Sequence, residues 1–193
     1  MSRYTTNDII SNLKRIAQTI VDPDTAWLNE QAKVETKSQL VWGFIVPLMA
    51  ICSAVTFLGV FLISHNAWFA FRHLLAAFIN GVLGILAISY VANELSVSFG
   101  GTKSITNALK LITFSSSVFF VVASISRFMP TSRMFFMLLG LYSLFLFYKG
   151  IGPMLSIKAE RKVGYVFILF LLFVMIVFII ELLLSPLFSL TIA

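Results

Sequence analysis

Charged residues are scarce in this chain: 14 lysines and arginines and 8 aspartates and glutamates make up only 11% of its 193 residues. Soluble domains carry about 25% charged and about 45–50% apolar residues, whereas 59% of this chain is apolar and its mean hydropathy is +0.97. So little charge excludes a water-soluble enzyme, a nucleic-acid-binding module and a disordered tail, because none of them keeps so much apolar surface in water. The sequence therefore predicts an integral membrane protein.

Residues that bind metals or act as nucleophiles are also rare or badly placed. Cys52 is the single cysteine, so an intrachain disulfide and a Cys-x-x-Cys site are excluded. The two histidines, His65 and His73, are too few for a zinc site. Residues 100–104 resemble a phosphate loop but have Thr102 where that loop needs glycine, and the serines at 115–117 lack the Gly-x-Ser-x-Gly context of a nucleophile. We expect no enzymatic activity, no metal and no cofactor.

Long apolar runs are abundant. Five of them are long enough, at about 1.5 Å per residue, to cross a hydrocarbon layer of about 30 Å. We place the spans at residues 39–63, 69–92, 107–126, 133–148 and 163–184. The expected fold is all-α, an integral membrane bundle of five helices over residues 39–193, with a short amphipathic segment before it at residues 1–38. The sequence from Gly150 to Pro153 is expected to end or bend the fourth span.

The first 38 residues have the pattern of a surface helix. Apolar residues recur at three- and four-residue steps from Ile9 to Ile20. Asp22 followed by Pro23 predicts a break and a second short helix, because aspartate is a good N-cap and proline a good first residue. The basic residues beside the apolar stripe, and Trp27 shortly after it, predict that the segment lies among lipid headgroups.

The distribution of basic residues predicts the orientation, because lysine and arginine in short loops stay on the cytoplasmic side. A cytoplasmic amino terminus places 11 of the 14 basic residues inside and leaves Arg72, Arg127 and Arg133 outside. With five spans, the carboxyl terminus then lies outside. We expect a bacterial inner-membrane protein in this orientation.

Polar residues within or beside the spans are the candidates for a functional site, because such residues are costly in hydrocarbon. They are Asn80, Asn93, Glu94, Lys110, Arg127 and Glu181. We expect Lys110 to pair with Glu94 across the turn at residues 99–101, or each to anchor the interface. Glu181 is expected to pair with an arginine at the other face, and structural pairing is favoured over coupling to transport.

Two further groups of residues predict contacts with lipids and with other helices. Expected lipid-headgroup contacts are Lys14, Arg15, Trp27, Lys149, Lys158, Arg161 and Lys162, each basic residue contributing about 1 kcal/mol near an anionic surface; the simpler interpretation is that these charges only set orientation. Small residues four apart, at Ala50 and Ala54 and at Ala77 and Gly81 with Gly84, predict close helix packing in the bundle, in a homodimer or with a larger partner.

The order of several short motifs resembles a known family. These are Pro23-x-x-x-Trp27, Phe99-Gly100-Gly101 followed by Ala108-Leu109-Lys110, Leu141-Tyr142, Tyr148-Lys149-Gly150, and Lys162-Val163-Gly164-Tyr165 at the start of the last span. The chain is similar to bacterial members of the Yip-domain family of Ypt/Rab-interacting membrane proteins, over about residues 8–185. The resemblance implies five spans and a cytosolic amino terminus. It implies an architectural role for Gly100, Gly101, Lys110, Tyr142, Gly150, Gly164 and Tyr165.

The function that follows is a non-enzymatic membrane scaffold or accessory protein with a basic cytoplasmic face. Its expected partners are membrane lipids and either a membrane protein or a second copy of the chain, and not nucleic acid. Eukaryotic relatives associate with small GTPases, but their Asp-Leu-Tyr-Gly-Pro motif is missing from residues 1–40, which argues against such binding here. The alternative is a small transporter or lipid scramblase with a polar path through the bundle.

Overall fold

The computed structural model describes residues 6–186, and the regular elements in that range are all helical. Their bounds are α1 Thr6–Val21, α2 Pro23–Ala32, α3 Lys37–Leu40, α4 Val46–Ser64, α5 Ala67–Ser98, α6 Ile105–Ile125, α7 Arg133–Gly140, α8 Tyr142–Leu155 and α9 Ala159–Leu184. The prediction of an all-α protein is confirmed. The predicted break at Asp22 is also present, because the Asp22 side chain accepts a hydrogen bond from the Thr25 N–H and so caps α2.

Five of the described helical segments are long and apolar enough to cross a membrane. They are Lys37–Ser64, Ala67–Ser98, Ile105–Phe128, Met134–Leu155 and Ala159–Leu184. Short connections make consecutive spans antiparallel. The helices α1 and α2 pack against the end of the bundle where the first, third and fifth spans begin, which we call the docking end; the opposite end is the distal end.

The first span contains a π-helical turn, Val41–Ile45, between α3 and α4. Pro47 follows this turn and has no N–H, so the carbonyl of Gly43, four residues earlier, loses its usual helical donor. The side-chain amide of Asn12 in α1 donates to this carbonyl at 2.7 Å. A polar residue of the amino-terminal helix thus completes the hydrogen bonding of the first span.

Replacing Asn12 with alanine is expected to weaken the packing of α1 by about 1 kcal/mol, because the Gly43 carbonyl would lose its donor. Adding Pro47→Ala restores a backbone N–H, so Asn12→Ala should cost less in that background. Hydrogen exchange of the α1 amides measures both effects. Equal costs in the two backgrounds would contradict this account of Pro47.

All five spans are longer than the predicted apolar runs, and two of them continue well beyond their predicted ends. The second was expected at residues 69–92, but α5 continues to Ser98 because Asn93 and Ser96 are buried, and the Ser96 hydroxyl donates to the Asn93 and Thr102 carbonyls. The fourth was expected to end or bend after residue 148. The helix instead breaks at Leu141 and α8 continues through Pro153 to Leu155, since Ile151, Met154 and Leu155 are buried and hold it in place.

The spans differ in how deeply they are buried. In the third span, 56% of the residues in the most apolar stretch of 18 are buried inside the protein, whereas in the fifth span only 6% are buried. The residues of α6 from Ala108 to Ser115 are all buried, so α6 is the centre of the bundle. The helix α9 packs on α5 and α8 and has only Tyr165 and Leu169 among its buried residues.

The two small-residue faces have different environments. Gly81 and Gly84 are buried in α5, and the side chain of Met49 in α4 lies against Gly81. At Gly81 this face is therefore in contact with α4. Ala50 and Ala54 are exposed on α4, so the prediction that this face packs inside the bundle is wrong for the single chain.

Candidate functional site

Trp27 anchors the amino-terminal segment to the docking end. Its side chain is 0% exposed and meets the Phe114 ring edge to face, with ring centroids 6.5 Å apart. Its fused ring also lies against Gly150, where an added Cβ would be 2.6 Å from the Trp27 Cε2. The prediction that Trp27 contacts lipid headgroups is therefore wrong, because α2 turns this side chain into the bundle.

Arg15 is the centre of a charge cluster beside Trp27. Its Nε donates to Glu30 Oε1 at 2.9 Å, and Nη1 and Nη2 donate to the Glu35 carboxylate at 3.0 and 2.9 Å. The guanidinium also lies over the Phe114 ring, with Cζ 4.8 Å from its centroid. Arg15 was predicted to contact headgroups, but it is engaged inside the protein because two carboxylates converge on it.

Lys110 completes this cluster from α6. It is 1% exposed, and its Nζ donates to the carbonyls of Glu30 and Lys33 at 2.7 and 2.6 Å. These carbonyls lie at the end of α2, where the last turn of a helix has no internal donors, so the lysine caps α2. Its Nζ is 3.5 Å from the Glu35 carboxylate. We call Arg15, Glu30, Lys33, Glu35 and Lys110 the docking cluster.

The expected pair of Lys110 and Glu94 is not formed. Glu94 accepts instead from Lys103, with Nζ and Oε2 2.6 Å apart on an exposed surface, and from Asn93 Nδ2 at 3.2 Å. Lys103 lies in the turn after α5, whereas Lys110 is in α6 on the side that faces α2. Local sequence favoured Glu94 as the partner, but the carboxylate near Lys110 is more than 70 residues away in the chain.

The docking cluster stabilises the charged form of Glu30. Burial by itself raises the pKa of this carboxyl, but the hydrogen bond and charge of Arg15, then those of Lys33, lower the pKa below its ordinary value of 4.5. For Arg15, burial lowers the pKa, and the hydrogen bonds and charges of Glu30 and Glu35 outweigh burial, so the net pKa is raised. Both groups are therefore ionised near neutral pH.

Docking of the amino-terminal segment should weaken in acid. A carboxyl whose folded pKa is lowered stabilises the folded state above its unfolded pKa, and this contribution is lost as the pH falls through the lower folded pKa. Trp27 fluorescence, with Trp42 and Trp68 replaced by phenylalanine, should shift to the red below about pH 4.5. In Glu30→Gln, the part of this fluorescence shift that comes from protonation of Glu30 should be absent. The same acid-induced shift in Glu30→Gln and in the wild type would contradict the role of Glu30.

The family-like residues not yet placed lie mostly at the docking end. Gly100 has a φ of +75°, which glycine adopts without strain, in the turn that joins α5 to α6. The Tyr165 hydroxyl donates to the Ala92 carbonyl at 2.7 Å and is buried, while Gly164 lies against Phe99. The Tyr142 hydroxyl donates to the Ile20 carbonyl at 2.9 Å. These contacts support the architectural role that was expected for them.

The same end is held by backbone contacts between its turns. The Gly101 N–H donates to the Ser96 carbonyl at 2.9 Å, and the Thr102 N–H donates to the Leu155 carbonyl at 2.8 Å. The side-chain amide of Asn107 also donates, to the Met154 carbonyl at 3.1 Å. The turn after α5 is therefore fixed to the end of α8.

The predicted basic face is divided between paired and exposed residues. Lys149 pairs with Asp24 of α2 at 2.9 Å, and the Nζ of Lys162 lies 5.5 Å from the centroid of the Tyr148 ring. Lys14, Lys158 and Arg161 are exposed. Of the residues expected to contact headgroups, these three have the most exposed side chains.

A second polar region is a cavity near the distal end, with a volume of about 480 Å³. It lies between α4, α5, α6 and α9, and we call it the distal cavity. Its polar lining includes His73, Asn80, Arg127 and Glu181. The expected ion pair of Glu181 with an arginine is not formed within the described residues, although Glu181 and Arg127 line the same cavity.

Asn93, Glu94 and Lys110 do not reach this cavity. Asn93 is 4% exposed, and its Oδ1 is buried without a hydrogen bond. Among residues 6–186, no three His, Cys, Asp or Glu side chains are grouped as a metal site requires. The arrangement offers buried structural charges at one end and a polar cavity at the other.

The residues predicted for the site do not include Asn12, Glu30 and Glu35. Each of these polar side chains lies in or just after the amino-terminal helices, where the pattern predicts only a solvated face. One feature of the sequence could have indicated Glu30 and Glu35: Lys110 lies inside a span, and a lysine there needs a carboxylate or carbonyl partner. That signal does not say which of the distant acids supplies it.

The family model of the Yip1 domain matches residues 17–180, which include Trp27, Lys110, Gly150 and Tyr165. No curated protein and no solved structure matches the chain.

Proposed function

Since the chain belongs to the Yip1-domain family, we propose that it is a non-enzymatic membrane scaffold that binds another membrane helix through its first span. The observation that carries this proposal is the exposed pair Ala50 and Ala54 on α4. Small residues four apart let two helices approach closely in lipid. The other small-residue face, at Gly81, is already used inside the bundle.

The basic face contributes the second part of this function. Lys14 in α1 and Lys158 and Arg161 at the start of α9 are exposed, and each can attract anionic headgroups by about 1 kcal/mol. Because most basic residues are at this end, we place it on the cytoplasmic side. The salt bridge of Lys149 to Asp24 supports one joined surface formed by α2 and α8.

Purification from native membranes in mild detergent tests the scaffold. The wild-type chain should elute with a stoichiometric partner, either a second copy or another membrane protein. The double substitution Ala50→Leu and Ala54→Leu keeps the surface apolar but blocks close approach, so it should release the partner while the single chain stays folded. A matched control, Val174→Leu on the exposed face of α9, should keep it. Elution of the wild type alone would contradict the proposal.

The orientation is tested separately. Tags at the two termini should be accessible from opposite sides of sealed vesicles, with the amino-terminal tag on the cytoplasmic side. Equal access to both tags from one side would overturn the assignment of the docking end to the cytoplasm.

A small transporter or lipid scramblase is the second candidate, and the distal cavity favours it. A transport path would have to connect this cavity with Asn93, Glu94 and Lys110 at the docking end. The buried ring of Phe114 and the capping contacts of Lys110 occupy that region, which weighs against a path in this conformation. Flux of ions, solutes or lipids in reconstituted vesicles, lost in Glu94→Gln or Glu181→Gln, would favour transport over the scaffold.

A further inference from the structure

The distal cavity combines charged residues near the membrane surface with an amide deeper inside. Glu181 lies three residues before the end of α9, and Arg127 follows α6, so both are near the distal surface. Asn80 lies 13 residues into α5, about 20 Å along the helix at 1.5 Å per residue. The cavity therefore extends from headgroup depth towards the middle of the bilayer.

Two of its polar side chains have no hydrogen-bond or ion-pair partner among the residues that the structure describes. Glu181, which is exposed near the distal surface, and Asn80 make no hydrogen bond or ion pair with residues 6–186. An amide at the depth of Asn80 normally has such a partner. Arg127 has an interaction of its own, but a guanidinium carries five N–H donors and can bind more than one acceptor. The cavity is thus lined by a hydrogen-bond acceptor in Glu181, a donor in Arg127 and an amide without a hydrogen bond to residues 6–186 in Asn80.

The charged residues that line the cavity favour a ligand that carries both a negatively and a positively charged group. Arg127 favours phosphate, Glu181 favours a cationic group that carries N–H donors, and together they leave the rim without net charge. Phe120, Val177 and Leu184 supply apolar walls on which acyl chains can pack. The volume of about 480 Å³ is within the range of sites that bind small ligands, about 300–1,000 Å³.

We propose that the distal cavity binds a zwitterionic phospholipid with a primary ammonium, phosphatidylethanolamine. Arg127 binds its phosphate, Glu181 accepts hydrogen bonds from its ammonium, and the Asn80 amide donates to an ester carbonyl nearer the middle of the bilayer. Phosphatidylcholine binds less well because its trimethylated nitrogen has no N–H. Phosphatidylglycerol binds less well because its headgroup leaves Glu181 without a cation. This site does not depend on the proposed scaffold or on transport.

Native mass spectrometry of the purified full chain tests the site, with phosphatidylethanolamine, phosphatidylcholine and phosphatidylglycerol of identical acyl chains. The ethanolamine lipid should bind about fivefold more tightly than the other two, as one additional charge-assisted hydrogen bond near a surface allows. Equal affinity for the three lipids would overturn the proposal, and this comparison needs no variant.

Two substitutions then separate the roles of the residues. Glu181→Gln should lower the affinity for phosphatidylethanolamine more than that for phosphatidylcholine, because the first lipid loses a hydrogen bond and a charge attraction and the second loses only the charge attraction. Asn80→Leu should weaken both lipids equally because both carry the ester. Glu160→Gln, an exposed glutamate at the other end of α9, is the matched control and should change nothing. Glu181 has no hydrogen bond or ion pair with residues 6–186 that the substitution could remove, so an unchanged lipid preference in Glu181→Gln would overturn the assignment.

Discussion

Replacing Lys110 with methionine is expected to release α1 and α2 from the docking end. Methionine fills a similar volume but has no donors, so the carbonyls of Glu30 and Lys33 lose their hydrogen bonds. Glu35 loses a cation 3.5 Å away. Removing one partner from a buried charged group costs about 3–5 kcal/mol, which is a large share of the stability of most domains.

The release can be measured without unfolding the bundle. Hydrogen exchange should rise by several orders of magnitude at the amides of α1 and α2 and remain slow in α6, because the spans keep their own backbone hydrogen bonds in lipid. Lys103→Met is the matched control: its partner Glu94 is on the surface, and an exposed ion pair is worth about 1 kcal/mol or less. Equal effects of the two substitutions would contradict a capping role for Lys110.

The five spans were predictable from the sequence because the bilayer fixes the length and composition of a crossing helix. Their ends were less predictable. The helix α5 continues beyond its apolar run because Ser96 and Asn93 are buried at the turn, and the continuation of α8 past Pro153 depends on burial of Met154 and Leu155. Both are effects of packing between distant segments, and neither changes the local pattern.

The docking cluster shows why the candidate site was harder to predict than the fold. Lysine in a span indicates that a partner is needed, but Lys110 finds it in the carbonyls and carboxylate of residues 30–35, far away in sequence. Trp27 has the composition of an interfacial anchor, yet the same amphipathic ring suits a buried position beside Phe114. The sequence pattern therefore indicates that such a side chain requires a partner, but only the fold shows which residue the partner is.

Substituting Gly150 with alanine is expected to separate α2 from α8. A Cβ at this position would lie 2.6 Å from Trp27 Cε2 and 2.6 Å from Leu111 Cδ1, well inside van der Waals contact. The indole is fully buried and rigid, so it has little room to move. Such overpacking costs about 1–3 kcal/mol, and we expect it to exceed the gain of about 1 kcal/mol that alanine gives over glycine in a helix.

A double-mutant cycle identifies the Trp27 ring as the cause. Trp27→Phe shrinks the ring, so Gly150→Ala should be less harmful in that background, with a coupling of about 1 kcal/mol or more between the two sites. The matched control is Gly84→Ala in α5, where the nearest atom to an added Cβ is 3.8 Å away, and it should be neutral or stabilising. Hydrogen exchange of the α2 amides reports each variant. Additive effects would mean that the ring does not limit the size of residue 150, and that the close approach of α2 to α8 has another cause.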